Sequence, residues 1–229
     1  MVKKFFNMNI WEKLNIGVND WDTLLRYKFL ENTTAGVFCD VGACNGLFTN
    51  LFKYICGKNG KVYSFELNPL NYNNILWLQD ANCIIENLAI AENSGEVEYY
   101  SNIDTVGDFT SNIVGFDTAF NSMKKIGKVK SISLDEYFKD KKIDYLKIDV
   151  EGAEFNVIKG GLETIKKCKY VIIECHFQSD WHKIYDLLKE NNLNFKNLTD
   201  DVPIFFGTTE VLPGIAYNGM PYQIYLKNE

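Results

Sequence analysis

The sequence predicts an α/β fold that is built on a mostly parallel β-sheet. Between Val37 and about Asn192, apolar runs of strand length alternate with helical patterns. Strands that are joined through helices pair in parallel, with right-handed crossovers. From Phe195 onward the apolar runs are short and are interrupted by proline and glycine, which predicts antiparallel strands at one edge of the sheet.

The first half of the pattern gives three strands and two helices. The run AGVFCDV is a buried strand, the stretch from Gly46 to Cys56 is helical, and VYSFEL is a second strand. Pro69 suits the first turn of a helix that runs to about Asp80. The run CIIENLAI then predicts a third strand.

The second half continues the alternation. The sequence SLDE, which begins at Ser133, is a capping box that opens a short helix. IDYLKIDV is a fourth buried strand, and the helical stretch after it is interrupted at Gly160 and Gly161 before it ends at Cys168. KYVIIECHF is a fifth strand, and a helix begins near Ser179.

Composition limits the class of protein. A chain of 229 residues is long enough for one large domain, residues 34–229, after a helical extension over residues 1–33. No membrane-length apolar stretch or signal-peptide pattern is visible, so we expect a cytoplasmic protein. A net charge of -6 without a basic stripe favours a small molecule or glycan as partner, and argues against nucleic acid or a membrane. Six cysteines without a C-x-x-C pair are expected to be reduced core residues.

Within the stretch VFCDVGACNGLFT, the first predicted strand is followed by a turn that contains two glycines. Gly42 and Gly46 let the backbone turn tightly, and the helix that follows offers free N–H groups to an anion. The dinucleotide fingerprint G-x-G-x-x-G would also need glycine in place of Cys44 and Leu47. A nicotinamide-dependent oxidoreductase is therefore a weak alternative.

Two acids stand at matching strand ends. Asp40 precedes the first glycine, and Glu66 ends the next strand, twenty residues after Gly46. A ligand with an ammonium, a carboxylate and a ribose would use Asp40 for the ammonium, the helix N-terminus for the carboxylate and Glu66 for the ribose hydroxyls. S-adenosylmethionine (SAM) is such a ligand, and the sequence predicts it as the cofactor.

From about Val37 to Phe177 the chain resembles the FkbM family of SAM-dependent methyltransferases. The motifs are DVGACNGLFT, FELNPLNYNNI, NLAI, VIIECH and, most specific, IDYLKIDVEGAEFNVIKGG. The resemblance implies a Rossmann-like class I methyltransferase domain over residues 34–229. Its sheet would have seven strands with the last antiparallel and helices on both faces. It also implies methyl transfer to a hydroxyl of a small molecule, sugar or glycan. The family often has asparagine in place of Cys44.

The resemblance also implies a cofactor site along the first three strand ends. Asn87 and Leu88 would lie near the adenine. The predicted cofactor contacts are Asp40, Gly42, Ala43, Cys44, Asn45, Gly46, Glu66, Leu67, Asn87 and Leu88.

Candidate catalytic groups follow the fourth and fifth strands. We predict that Asp149, Glu151 and His176 are catalytic and that the acceptor's proton leaves during or after methyl transfer. Since side chains alternate along a strand, Glu174 shares a face with His176, and Glu154 is a further candidate. A Mg²⁺ or Mn²⁺ ion held by Asp149, Glu174 and His176 is an open alternative, but the spacing is not a metal signature and we predict no metal.

Two further points stay open at this level. A SAM-binding module without catalysis would keep Asp40 and Glu66 but lose the second acid cluster. The connection from Ser101 to Lys128 is longer than usual and carries apolar side chains, which predicts a lid over the acceptor pocket.

Overall fold

A computed structural model of the chain describes residues 35–101, 108, 110–115, 123–176, 178–191, 193 and 222–227. The predicted N-terminal extension and most of the predicted C-terminal strands lie outside this part. No helix within it combines the length and the apolarity that a bilayer crossing requires. The strands and α-helices in chain order are β1 (Val37–Val41), α1 (Leu47–Cys56), β2 (Lys61–Phe65), α2 (Pro69–Ile75), β3 (Cys83–Glu86), β4 (Ala89–Ile90), β5 (Gly95–Ser101), β6 (Lys124–Ile132), α3 (Leu134–Phe138), β7 (Tyr145–Ile148), α4 (Glu154–Lys159), α5 (Leu162–Ile165), β8 (Tyr170–Cys175), α6 (Gln178–Glu190) and β9 (Tyr222–Lys227).

The central sheet has the strand order β3-β2-β1-β7-β8-β9. All neighbours pair in parallel except β9, which runs antiparallel to β8. The chain moves outward from β1 in one direction through β2 and β3, and in the other through β7 and β8. The strand order therefore reverses between the paired strands β1 and β7. Open α/β sheets bind ligands beyond the carboxyl ends of the strands at such a switch point. The predicted fold class is confirmed; six strands of this sheet are described, and a seventh stays a prediction.

The prediction of one third strand is wrong. The run CIIENLAI is divided into β3, in the central sheet, and β4, in a second sheet of order β4-β6-β5. Asn87 lies at the break, where its side-chain amide donates to the carbonyls of Glu66 (2.8 Å) and Leu67 (3.0 Å) at the end of β2. These bonds hold the chain across the strand end and turn it out of the central sheet.

Helices cover both faces of the central sheet. Along β1, Phe38 packs in one apolar cluster with Phe52 of α1, while Val41 packs in another with Val157 of α4. Strands that are buried on both faces read as continuous apolar runs, which explains the sequence pattern. Five of the six cysteines are buried, and Cys44 in the glycine turn is partly exposed.

Local signals fix the helix ends that the sequence predicted. The side chain of Ser133 accepts a hydrogen bond from the backbone N–H of Glu136 (3.2 Å), which is one half of the predicted capping box. Pro69 is the first residue of α2, and Gly160 and Gly161 separate α4 from α5. These helices pack the chain against the sheet just after each strand end.

A lysine is buried between β1 and β7. Lys147 lies opposite Asp40 in the strand register and is only 2% exposed. Its Nζ lies 3.2 Å from Asp40 Oδ1 and 3.3 Å from Asp149 Oδ2, and donates to the carbonyl of Gly42 (2.8 Å). Burial on its own would lower the pKa of Lys147, but the charges of Asp149 and Asp40 outweigh it and raise that pKa. The ammonium therefore stays charged inside the sheet.

Lys147→Met is expected to destabilise the fold by about 3–5 kcal/mol, because removal of one partner leaves a buried charge uncompensated. Urea unfolding measures the effect. Lys128→Met, at an exposed ion pair with Glu96, serves as the control and is expected to leave the unfolding midpoint unchanged. Adding Asp40→Asn to Lys147→Met should recover part of the loss. A single variant as stable as the parent would contradict the electrostatic role of Lys147.

Candidate active site

A pocket opens at the carboxyl ends of β1, β2 and β7, at the switch point of the sheet. It combines strand-end acids with apolar walls. Its lining residues are Val41, Gly42, Cys44, Phe65, Glu66, Leu67, Ala89, Ile90, Asp108, Ser111, Ile113, Asp149, Val150, Glu151 and Ala153. The predicted cofactor acid Glu66 and the predicted catalytic acids Asp149 and Glu151 thus share one cavity.

The glycine turn is folded against both neighbouring strands. Gly42 has a φ of 84°, and a Cβ at this position would overlap the carbonyl oxygen of Asp149. On the other side, the N–H groups of Gly42 and Ala43 both donate to the carbonyl of Phe65 (3.0 Å each). Gly46, with a φ of 80°, is the N-cap of α1. The close approach to β7 therefore requires glycine at position 42.

Glu66 is fixed by backbone donors. It is 4% exposed; its Oε2 accepts from the N–H of Cys44 (2.6 Å) and its Oε1 from the N–H of Asn68 (2.8 Å). Burial raises the pKa of Glu66 to about 7, although the two backbone bonds pull it down. The carboxylate is held at the pocket wall with a protonation state that changes near neutral pH.

Several predicted cofactor residues do not line the pocket. Asp40 is completely buried behind the turn, where its carboxylate meets Lys147 and accepts from Thr49 Oγ1 (2.7 Å). Asn45 is exposed, and its Oδ1 accepts from the N–H of Leu47 (3.1 Å). The remaining four are Ala43, Gly46, Asn87 and Leu88. Beyond the end of β3, Ala89 and Ile90 line the pocket instead.

Asp108, which sequence reasoning missed, forms a further side of the pocket with Ser111 and Ile113. The carbonyl of Asp108 accepts from Asn71 Nδ2 (2.9 Å), and Ser111 Oγ accepts from Asn68 Nδ2 (3.0 Å). The carboxylate of Asp108 in turn accepts from Ser111 Oγ (2.7 Å) and from the hydroxyl of Ser101. These residues belong to the predicted lid segment, and they face the cavity beside Glu66. A lid over the acceptor stays a prediction.

The predicted catalytic groups come together beside this cavity. His176, just after β8, has its Nε2 3.2 Å from Glu151 Oε2 and 3.8 Å from Asp149 Oδ1. Its Nδ1 lies 2.8 Å from Glu154 Oε1. The side chains of His176, Asp149 and Glu151 are 12%, 21% and 26% exposed, so the cluster is sheltered but reachable.

Glu154 holds the turn that presents Glu151. It is completely buried at the start of α4, and its Oε1 accepts from the N–H groups of Val150 (3.3 Å) and Gly152 (3.0 Å). Between them, Glu151 adopts a left-handed backbone with a φ of 55°. This conformation is unusual for a non-glycine residue, and it turns the Glu151 side chain toward His176.

Three carboxyl groups, those of Asp149, Glu151 and Glu154, surround the imidazole of His176. Burial on its own would lower the pKa of His176, but the bond with Glu154 and the charges of Glu154, Glu151 and Asp149 raise it to about 10. Burial raises the pKa of Glu151 to about 8, although the charge of His176 pulls it down. At neutral pH the imidazole therefore carries protons on both nitrogens when no other cation is present.

The protein is a SAM-dependent methyltransferase, as the sequence resemblance implied. The chain belongs to the FkbM methyltransferase family, because the family model described as a methyltransferase FkbM domain matches residues 40–196. The protein is thus a methyltransferase enzyme, and SAM is its cofactor.

The comparisons also identify related proteins. The chain is 26% identical over 177 residues to the hexuronic acid methyltransferase AglP of Haloferax volcanii. The aligned region covers 75% of this chain and 69% of AglP. The chain is similar to the crystal structure of methyltransferase FkbM from Methylobacillus flagellatus KT, with 18% identity, a TM-score of 0.44, and coverage of 70% of this chain and 36% of that chain. It thus spans about a third of that solved protein. An Aeropyrum pernix fibrillarin with natively bound SAM gives 12% identity, a TM-score of 0.48, and coverage of 90% and 74%.

Gly42→Ala is expected to weaken SAM binding at least about tenfold, or ~1.4 kcal/mol, because the added Cβ displaces the turn from the backbone of Asp149. Isothermal titration with SAM measures the change. Gly57→Ala is the matched control: Gly57 also has a positive φ, but an added Cβ there meets no atom within 4 Å. Equal losses in both variants would mean that φ alone, and not the close approach, governs position 42.

Proposed function

We propose that the protein is an O-methyltransferase that acts on a hydroxyl group of a sugar, a glycan or another small molecule. The observation that carries the proposal is the cluster of Asp149, Glu151 and His176 beside the cavity that Glu66 lines. A methyl acceptor with an O–H group needs a proton acceptor next to it, and carboxylates at the pocket mouth supply one. The similarity to a hexuronic acid methyltransferase supports a sugar as the acceptor.

The cofactor seat in this proposal lies on the Glu66 side of the cavity. The carboxylate of Glu66 accepts hydrogen bonds from the ribose hydroxyls, and the apolar walls from Phe65, Leu67 and Ile90 suit the adenine ring. Glycine at position 42 keeps the turn close to β7. When bound, SAM supplies a methyl group that its sulfonium already activates.

The main task of the protein is then to align the acceptor oxygen. Positioning of this kind accounts for roughly 7–11 kcal/mol of a barrier. Any carboxylate is a far weaker base than the alkoxide of a sugar hydroxyl. Proton transfer to Asp149 therefore accompanies or follows methyl transfer. Lys147 holds Asp149 Oδ2 at 3.3 Å, which leaves Oδ1 for the side of the cluster that His176 occupies.

In the absence of another cation, the imidazole of His176 donates hydrogen bonds to the acids of this cluster. With its pKa raised to about 10, the imidazole does not take the acceptor's proton at neutral pH. It binds Glu151 through Nε2 and Glu154 through Nδ1, which orients both acids. The proton-accepting role falls to Asp149, because Glu151, whose pKa is raised to about 8, is mostly protonated at neutral pH.

SAM affinity is expected to weaken as the pH falls below about 7, the raised pKa of Glu66. The ribose hydroxyls donate, so they bind the ionised carboxylate, and below that pH a proton must first be lost. The limiting slope is about tenfold in Kd per pH unit. Isothermal titration across the pH range measures it.

The control for this pH dependence is Glu66→Gln. This variant should lose charge-assisted bonds worth about 1.5–3 kcal/mol and should bind SAM with an affinity that no longer changes near pH 7. Glu163→Gln, at an exposed carboxylate on α5, should keep the parent's pH dependence. A Glu66→Gln variant with the parent's slope would remove the ribose assignment.

Asp149→Asn and Glu151→Gln are each expected to lower kcat at least about tenfold. The first removes the proton acceptor, a role that typically contributes about 10²–10⁴-fold, and the second removes the acid that His176 Nε2 contacts. The Kd for SAM should stay within about twofold of the parent, because Glu66 and the glycine turn are unchanged. The assay incubates SAM with a panel of neutral sugars, hexuronic acids and non-sugar alcohols and detects methylated product by mass spectrometry.

Thermal unfolding establishes that both variants are folded, and Glu163→Gln again gives the reference activity. Turnover at the parent's rate in both variants would remove the acid cluster from the mechanism. Methylation of amines alone, with every hydroxyl compound inert, would refute O-methyl transfer itself.

A further inference from the structure

Three potential ligand atoms converge at the cluster. One oxygen each from Asp149 and Glu151 and one nitrogen of His176 all lie within 4.8 Å of one another. His176 Nε2 is 3.2 Å from Glu151 Oε2 and 3.8 Å from Asp149 Oδ1. Ligands at about 2.0–2.2 Å from one ion lie roughly 3–3.5 Å apart. The three atoms need only small side-chain adjustments to surround a cation.

The orientation of the histidine supports a ligand independently of these distances. Glu154, completely buried, lies 2.8 Å from His176 Nδ1 and thereby fixes the N–H on that nitrogen. Nε2 is then directed at the two acids. A carboxylate that orients a histidine from behind is the usual outer partner of a metal-ligating imidazole.

A second observation is an unpartnered buried oxygen on the same glutamate. Glu154 Oε2 has no hydrogen-bond partner among the described residues, and its carboxylate lies against the cluster through Oε1. An unpaired oxygen of a buried acid is costly unless positive charge lies nearby. The imidazole of His176 binds Oε1 and not Oε2, and the buried ammonium of Lys147 is engaged by Asp40 and Asp149.

We propose that a divalent cation, Mg²⁺ or Mn²⁺, binds between Asp149, Glu151 and His176. Three protein ligands leave coordination positions open toward the cavity, where oxygens of the acceptor bind. The ion takes the place on Nε2 that a proton occupies in its absence. Its role in methyl transfer rests on the proposed function, whereas its binding does not.

This site differs from both expectations of the sequence analysis, which predicted no metal and named Glu174 in the alternative ligand set. The left-handed backbone at Glu151 brings that acid, rather than Glu174, to the imidazole. A cation here also suits a sugar acceptor, because a bound ion accepts a carboxylate or two adjacent hydroxyls as further ligands.

The test is a titration of the full-length, EDTA-treated protein with Mn²⁺, in which electron paramagnetic resonance counts the free ion. The expected result is one saturable site per chain. Glu151→Gln and His176→Gln should weaken it at least about tenfold, and Glu154→Gln, which disturbs the imidazole, about 10–100-fold. The control Glu163→Gln should bind as the parent does.

Thermal unfolding and SAM binding identify any variant that has lost its fold, and Glu151→Gln, at a partly exposed position, provides the comparison least dependent on core packing. Absence of a saturable site, or binding unchanged in Glu151→Gln and His176→Gln, overturns the proposal. Loss of binding in Glu174→Gln with retention in Glu151→Gln overturns this ligand set. Failure of the proposed function is distinguishable: Mn²⁺ would bind as expected, but no hydroxyl compound would be methylated.

Discussion

The site depends on one buried ammonium. Lys147 lies inside the central sheet, yet its Nζ reaches an acid on β1, an acid after β7 and the carbonyl of Gly42. Parallel strands bring their carboxyl ends to one edge, and two of these ends carry aspartates that would repel each other across the switch point. The ammonium lies between the two aspartates and attracts both of them. The glycine turn and the acid cluster are therefore held by the same positive charge.

Around this ammonium the two halves of the cavity are held differently. On the cofactor side, backbone N–H groups of Cys44 and Asn68 fix Glu66. On the acid side, the side chain of Glu154 holds both the turn and His176. In the proposed function, the backbone donors hold Glu66 rigidly for a cofactor that is always the same. The side-chain network of Glu154, which one substitution can change, then faces a variable acceptor.

Much of this could be predicted from the sequence, because strand ends and periodicity report local geometry. The glycine turn, Glu66 and the meeting of Asp149 with His176 followed from strands that end at one edge. Lys147 could not, since one lysine in a buried run gives no sign of which acids it meets. The sequence predicts Glu151 as a catalytic residue, but its approach to the imidazole depends on a left-handed backbone that no spacing encodes. The break at Asn87 arises from bonds to the end of β2, and these are visible only once β2 and β3 are paired.

The hydrogen bonds of Glu154 have a consequence for evolution. One oxygen of this side chain aligns the imidazole and the Glu151 turn, while the bonds of Glu66 lie on the other side of the cavity. Under the proposed function, a lineage that lost Glu151 or His176 would keep Glu66 and the glycine turn, which hold the cofactor. Such a descendant would bind SAM without catalysis, and a single reversion would return it to catalysis. Because the two halves of the cavity are held by separate hydrogen bonds, this domain could lose or regain catalysis without a change of fold.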